Sequence, residues 1–209
     1  MDIIENLEWR YAVKKFDKDR MLPQLKVDRL KKGFKLTATS YGLQPIKMII
    51  LSNKELQQKL VSSSFNQQQV VQASHVLILC IEKAVDENFI NQYFDRIKKV
   101  RGTSNEILDP FKKEMVTNFS VKTTTEIQRW ATNQAYLAMG NLLTICAAEK
   151  IDACPMEGFN PLEYDEILEL KNRGLTSVLV MPVGYRAADD MFSELKKVRK
   201  STHESIIEL

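Results

Sequence analysis

Residues 74–82 read SHVLILCIE, an unbroken apolar run with a polar residue at each end. A run of strand length without polar alternation fits a strand buried on both faces, so layers must cover it on each side. SVLVMPVGY at 177–185 is a second such run, and KMIILS at 47–52 is a shorter one rich in β-branched residues. Pro45 bounds the latter, and Asn53 is placed to cap a following helix. Between these runs the period changes to that of helices. MDIIENLEWR carries Ile3, Ile4 and Leu7; the stretch from Pro23 carries Val27, Leu30 and Phe34; DENFINQYFDRIKKVR carries Phe89, Tyr93 and Ile97. The longest segment, 124–150, holds the small residues Ala131, Ala135, Ala138 and Gly140, where another backbone could approach closely. It is apolar around so much of its circumference that it belongs either in the centre of the domain or in a dimer. Helices exceed strands, which gives a sheet sandwiched by helices, α/β or α+β, in one domain spanning 1–209.

With 209 residues, 44% hydrophobic and 27% charged, the composition is that of a globular protein. The N-terminus has acid near its start and no signal-peptide core, and the apolar stretch 135–148 is too short for a membrane span. These readings predict a cytoplasmic protein without a membrane partner. Three cysteines, Cys80, Cys146 and Cys154, lie in or beside apolar runs and read as reduced, buried thiols. With His75 and His203 the only histidines and no CxxC, no metal-ligand pattern is present. The 30 basic and 27 acidic residues are interspersed, and no aromatic stripe accompanies the basic runs, so nucleic acid is not expected as a partner.

Seven glycines form neither GxGxxG nor GxxxxGK, and no GxSxG elbow occurs, which excludes the usual dinucleotide and phosphate loops and the usual serine nucleophile. His75, at the head of an apolar strand, reads as a core or edge histidine. The stretch that stands out is DACPMEGFNP at 152–161, where Glu157 and Gly158 lie between Pro155 and Pro161. The prolines stiffen the loop, and glycine is expected to open conformations and space that other residues deny. A loop suited to meeting a ligand, in a chain without side-chain catalytic machinery, points to chemistry carried by a cofactor.

Five stretches in order, RYAVKKFD (10–17), TATSYGLQP (37–45), NQQQVVQASHVLI (66–78), PMEGF (155–159) and KVR (197–199), resemble the successive signatures of the nitroreductase family, in particular its oxygen-insensitive NAD(P)H nitroreductases. The resemblance spans essentially the whole chain. It implies an α+β sandwich with a central mixed sheet flanked by helices, forming an intertwined homodimer with an extended C-terminal arm. It also implies bound FMN, reduced by NADH or NADPH, which passes hydride to nitroaromatics, quinones or related small-molecule acceptors by a ping-pong mechanism. A dihydropteridine or flavin reductase, or a flavin-binding protein with little turnover, is the alternative.

By the same resemblance Arg10, Tyr11, Ala12 and Lys14 form the N-terminal FMN-binding stretch, and Lys197 and Arg199 hold the phosphate. Asn66 bonds the pyrimidine edge of the flavin, and Ala38, Thr39 and Ser40 come from the other subunit. The backbone amide of Glu157 faces flavin N5, with Gly158 admitting the ring, so the backbone rather than the carboxylate carries the role. Gln69 departs from the pattern, since family members often carry Lys there. The segment 111–130 corresponds to a mobile helix over the flavin, with Phe119 as candidate lid aromatic or, equally, a core packing residue, whereas Tyr41 and Trp130 read as packing residues.

Overall fold

The structure is a computed structural model describing residues 2–209; Met1, the first residue of the predicted N-terminal helix, lies outside the described residues. The helices are α1 (Ile3–Trp9), α2 (Gln24–Lys35), α3 (Lys54–Lys59), α4 (Gln69–Gln72), α5 (Glu87–Arg101), α6 (Asn105–Ser120), α7 (Thr124–Ala148), α8 (Pro161–Ile167) and α9 (Thr202–Ser205). The strands are β1 (Ile46–Leu51), β2 (His75–Glu82), β3 (Asp152–Ala153) and β4 (Leu175–Gly184), in one sheet of order β1-β2-β4-β3.

Every ladder between these strands is antiparallel. The parallel pairing expected of a mixed sheet is confined to a single bridge, Ala12 to Ala153. The apolar run of β2 follows from two-sided burial. Leu77, Leu79 and Ile81 pack with α2 and α7, while Val76, Ile78 and Cys80 pack with Val70, Tyr164 and Leu170 on the other side. Successive strand residues alternate faces, so a strand covered twice must be apolar at every position. Which direction its neighbours run does not alter that requirement.

Helix α7 is the principal cover of the first face. A capping box between Thr123 and Glu126 sets its start, and Ala131, Ala135, Ala138 and Leu142 are fully buried beneath it. The third apolar cluster belongs to the α5–α6 hairpin, where Ile90, Phe94, Leu108 and Met115 surround Phe119. Asn53 caps α3 as expected, accepting from Leu56 N–H at 2.9 Å.

Helix α1 forms where predicted but presents its apolar stripe outward. Ile3, Ile4 and Leu7 are exposed, and the buried residue is Asn6, which accepts from Lys150 Nζ at 2.9 Å. From Leu195 onward the arm is exposed throughout, with short α9 its one helix. All three cysteines are buried, and burial pushes the Cys80 and Cys146 thiols up to about 12. Among the described residues, no helix is long and apolar enough to cross a membrane.

Leu142 is enclosed between α7 and the sheet. Leu142→Ala is expected to lower unfolding free energy by about 2–5 kcal/mol through lost burial and a residual cavity. Urea denaturation checks this, and a loss below ~1 kcal/mol would contradict the central position of α7.

Candidate functional site

The N-terminal stretch and the C-terminal arm, the two ends of the chain, meet beside β3. Val13 N–H donates to Ala153 carbonyl at 3.3 Å next to the Ala12–Ala153 bridge, so residues 12–13 run alongside the strand that leads into the Glu157 loop. Asp152 accepts from Arg186 N–H and from Arg186 Nε, each at 2.8 Å. Arg186 Nη2 lies 2.6 Å from the same carboxylate, close enough for charge pairing although it is not aligned as a hydrogen bond. The guanidinium lies 4.5 Å from the centre of the Trp9 ring and 4.4 Å from that of Tyr11, binding the residues before and after Arg10 to the end of β4.

Asp190 makes the second tie. Only 3% exposed, it accepts from Tyr11 hydroxyl at 3.0 Å, Lys14 N–H at 3.0 Å, Lys15 N–H at 3.3 Å and Phe192 N–H at 3.2 Å. Burial by itself would raise this carboxyl, but the bonds donated by Lys14, Tyr11, Lys15 and Phe192 outweigh it, and its pKa falls below the usual carboxylate value. Burial first, then the bond to Asp190, holds the Tyr11 phenol well above its ordinary value.

These ties gather six of the predicted residues, Arg10, Tyr11, Ala12, Lys14, Lys197 and Arg199, around one cavity of about 360 Å³. Lys197 Nζ donates to the Arg10 carbonyl. Among the described residues, no carboxylate is ion-paired with Arg10, Lys14, Lys197 or Arg199. Glu8 is the acidic residue of the lining. Burial and then the Arg199 charge lower the Arg10 pKa; burial and then Arg10 and Arg199 lower that of Lys197. Like charges held together in this way have the chemistry to hold a polyanion.

Beyond β3, Met156 is paired with Val180 of β4 through N–H···O bonds of 2.8 and 3.1 Å, and Asn160 N–H donates to Ser63 carbonyl at 2.7 Å. Gly158 carbonyl accepts from Gln67 Nε2 at 2.8 Å, which joins this loop to the 65–69 segment. Among the described residues, the N–H groups of Glu157 and Gly158 donate to no protein acceptor. Gly158 does not take the left-handed conformation that glycine permits; what it supplies is room, since a Cβ there would lie 3.2 Å from Gln67 Nε2 and 3.6 Å from the Phe65 ring. The left-handed residues are its neighbours Phe65 and Asn66, at φ 52° and 59°. Two consecutive non-glycine residues so placed store strain of a kind found at ligand sites. The Glu157 carboxylate, on the exposed side, accepts from Tyr136 hydroxyl at 2.7 Å.

Other predicted residues lie apart from the cationic cavity. Gln69 opens α4 and is buried, whereas Asn66 is exposed. The segment 38–40 is held on α7, where Gln134 Oε1 accepts from Ser40 N–H at 2.8 Å. Phe119 is 3% exposed and packs edge-on against Tyr41 and Trp130, with ring centres 6.0 and 5.1 Å away. It packs in the α5–α6 cluster between two aromatic edges, the core position that the sequence also left open for it. His75 is half-buried, bonds Ser74 Oγ at 2.8 Å, and has its pKa lowered by burial and then by the charges of Lys54 and Lys31. Sequence reading missed Gln67, Tyr136, Asp152, Arg186 and Asp190, whose roles depend on partners distant in the chain.

Comparison with known proteins establishes the family and the fold. The profile of the Nitroreductase family matches residues 7–185. The chain belongs to the nitroreductase family. It is 27% identical over 217 aligned positions to the oxygen-insensitive NAD(P)H nitroreductase of Salmonella typhimurium, an alignment covering 100% of both chains. Its fold matches that of a Bacillus subtilis protein assigned as a nitroreductase, with a TM-score of 0.88 and 17% identity over 99% of this chain and 98% of the other. An Exiguobacterium sibiricum protein of the same assignment, crystallised in complex with FMN, superposes with a TM-score of 0.84 and 16% identity over 100% and 98%.

Asp190→Ala is expected to lower stability by about 2–3 kcal/mol at neutral pH, because it strands buried N–H donors. Since the folded-state pKa is depressed, the contribution of Asp190 is complete above its unfolded pKa and is lost as pH falls through the folded value. Thermal melts between neutral and acidic pH should therefore show the mutant and parent converging at the acid end; parallel curves would contradict the assignment.

Proposed function

We propose that this nitroreductase-family chain is an FMN-dependent oxidoreductase that moves hydride from NADH or NADPH to a small-molecule acceptor, such as a nitroaromatic or quinone, by a ping-pong mechanism. The observation that carries the proposal is the convergence of Arg10, Lys14, Lys197 and Arg199 on one cavity with, among the described residues, no carboxylate ion-paired to them. A phosphate monoester carries about −1.5 to −2 charges near neutral pH, and guanidinium groups hold it bidentately. The uncommitted N–H groups of Glu157 and Gly158 supply donors for a polar ring edge. Together these groups fit a phosphorylated flavin. When bound, FMN supplies the two-electron chemistry between nicotinamide and acceptor.

The chain's own part is to clamp the phosphate, to set fixed donors where negative charge develops, and to keep the loop from shifting. Asn66 is assigned to the pyrimidine edge. Gln69 puts a neutral amide where a cation would favour the reduced ring, so a low reduction potential is expected.

A homodimer fits the surface. Leu137 is 56% exposed on α7, Gly140 beside it has open space above it, and Ile3, Ile4 and Leu7 face outward on α1. An exposed glycine within a helix costs about 1 kcal/mol against alanine, which is tolerable where a second backbone approaches. In this proposal Ala38, Thr39 and Ser40 complete the partner's site, and the arm from Leu195 lies on the other subunit. Sedimentation is expected at twice the chain mass of 24.1 kDa.

The purified protein should show a flavin absorption spectrum that bleaches when NADH or NADPH is added without oxygen. A colourless protein that takes up no FMN would overturn the proposal. Arg199→Ala should weaken FMN binding about tenfold or more, from loss of a charge-assisted contact of ~1.5–3 kcal/mol. Fluorescence titration of the ligand-free protein measures it, and unchanged affinity would remove Arg199 from the clamp.

A further inference from the structure

We propose that Tyr136 of α7 is a positioning residue, whose hydroxyl, through the Glu157 carboxylate, sets the direction of the loop amides at 157 and 158. The inference rests on the reading that these amides face a reducible ring. Residues on either side of Glu157 are anchored to different elements. Before it, Met156 is paired on both its N–H and its carbonyl with Val180 of β4. After it, Gly158 carbonyl is held by Gln67, and Asn160 N–H is held by Ser63 carbonyl. Glu157 itself has one main-chain bond, its carbonyl accepting from Phe159 N–H at 2.9 Å, which is internal to the loop. Among the described residues, its one hydrogen bond to another element runs through the side chain, at 2.7 Å to Tyr136.

That bond ties the loop to the longest helix of the protein. The buried face of α7 around Tyr136, at Gln134, Ala135, Ala138 and Met139, is packed against its neighbours. A phenol has few rotatable bonds, so its hydroxyl is a comparatively stiff point of attachment. The Tyr136 hydroxyl carries the mark of the pairing: its bond to Glu157, aided by partial burial and the carboxylate charge, raises its pKa. At 46% exposure the ring contributes little to the core, so the geometry of the bond, rather than packing, explains its orientation. The residue therefore acts on the amides through Glu157 and not by touching a substrate.

The test compares the parent chain with Tyr136→Phe, Glu157→Ala, Glu157→Gln and the double variant Tyr136→Phe/Glu157→Ala. In the ligand-free protein, hydrogen exchange at the Phe159 amide should quicken about threefold to tenfold in Tyr136→Phe and Glu157→Ala, while Met156, paired to β4, stays unchanged. Glu157→Gln, whose side-chain carbonyl can still accept from the phenol, should recover the protection that Glu157→Ala loses. In the FMN-loaded protein, each of the two disruptive variants should slow anaerobic bleaching by NADPH or NADH about threefold to tenfold, with FMN affinity within about twofold of the parent. The double variant should fall no further than either single one, since both remove the same bond. Parent-like exchange and bleaching in Tyr136→Phe would overturn the inference, as would additive losses in the double variant. A parent protein that takes up no FMN defeats the flavin reading and, with it, the link to the ring; the exchange result then still decides whether Tyr136 holds the loop.

Discussion

The architecture of the candidate site depends on a buried carboxylate that cannot be left without donors. Asp190 is enclosed, and an ionised group there is stable only while several hydrogen bonds reach it. Three of its four donors, the Tyr11 hydroxyl and the N–H groups of Lys14 and Lys15, come from the other end of the chain. Satisfying Asp190 thus closes the two termini together and brings Lys14 and Arg10 beside Lys197 and Arg199. Mutual repulsion of those cations opposes the closure. The Asp152–Arg186 pair, with Trp9 and Tyr11 on the guanidinium, adds a second hold on the same seam.

Stability and binding pull in opposite directions at this cavity. A chain selected only for stability would place carboxylates among the cations; here the hydrogen-bonded acid stands behind them, satisfied by three backbone N–H groups and the Tyr11 hydroxyl, and leaves the cations without an ion pair among the described residues. The same division recurs at the Glu157 loop. Met156 and Gly158 are fixed to neighbouring elements, while among the described residues the N–H groups of Glu157 and Gly158 have no protein acceptor. The strained backbone at Phe65 and Asn66 adjoins Gln67, which holds Gly158. Strain, unpaired donors and clustered like charges are each unfavourable alone, and a bound anionic ring system would offset all three.

Much of the secondary structure was legible because its causes are local. The continuous apolar run of β2, the capping Asn53 and the helical spacing of α2, α5 and α7 each report burial or capping over a few residues. The site residues were reached through the order of family signatures rather than through local chemistry, and the cationic group from both termini does share a cavity. Tyr136, Gln67 and Asp190 were not legible: a tyrosine on a helix, a glutamine among glutamines and an aspartate in a charged tail look ordinary until their partners, far away in sequence, are in place. For Phe119 the sequence leaves both a lid and a core position open, because its helical segment shows an aromatic without showing what encloses it.

The sequence by itself determined the layered arrangement, the burial of the thiols, and the absence of a glycine-rich phosphate loop, since each follows from residue type and short-range pattern. Tertiary structure alone decided that all strand ladders run antiparallel, that Asn6 rather than the apolar stripe of α1 turns inward, and that Gly158 supplies space rather than an unusual backbone angle. Those outcomes depend on which distant surfaces meet. Their energies come from contacts between residues that no local periodicity brings together.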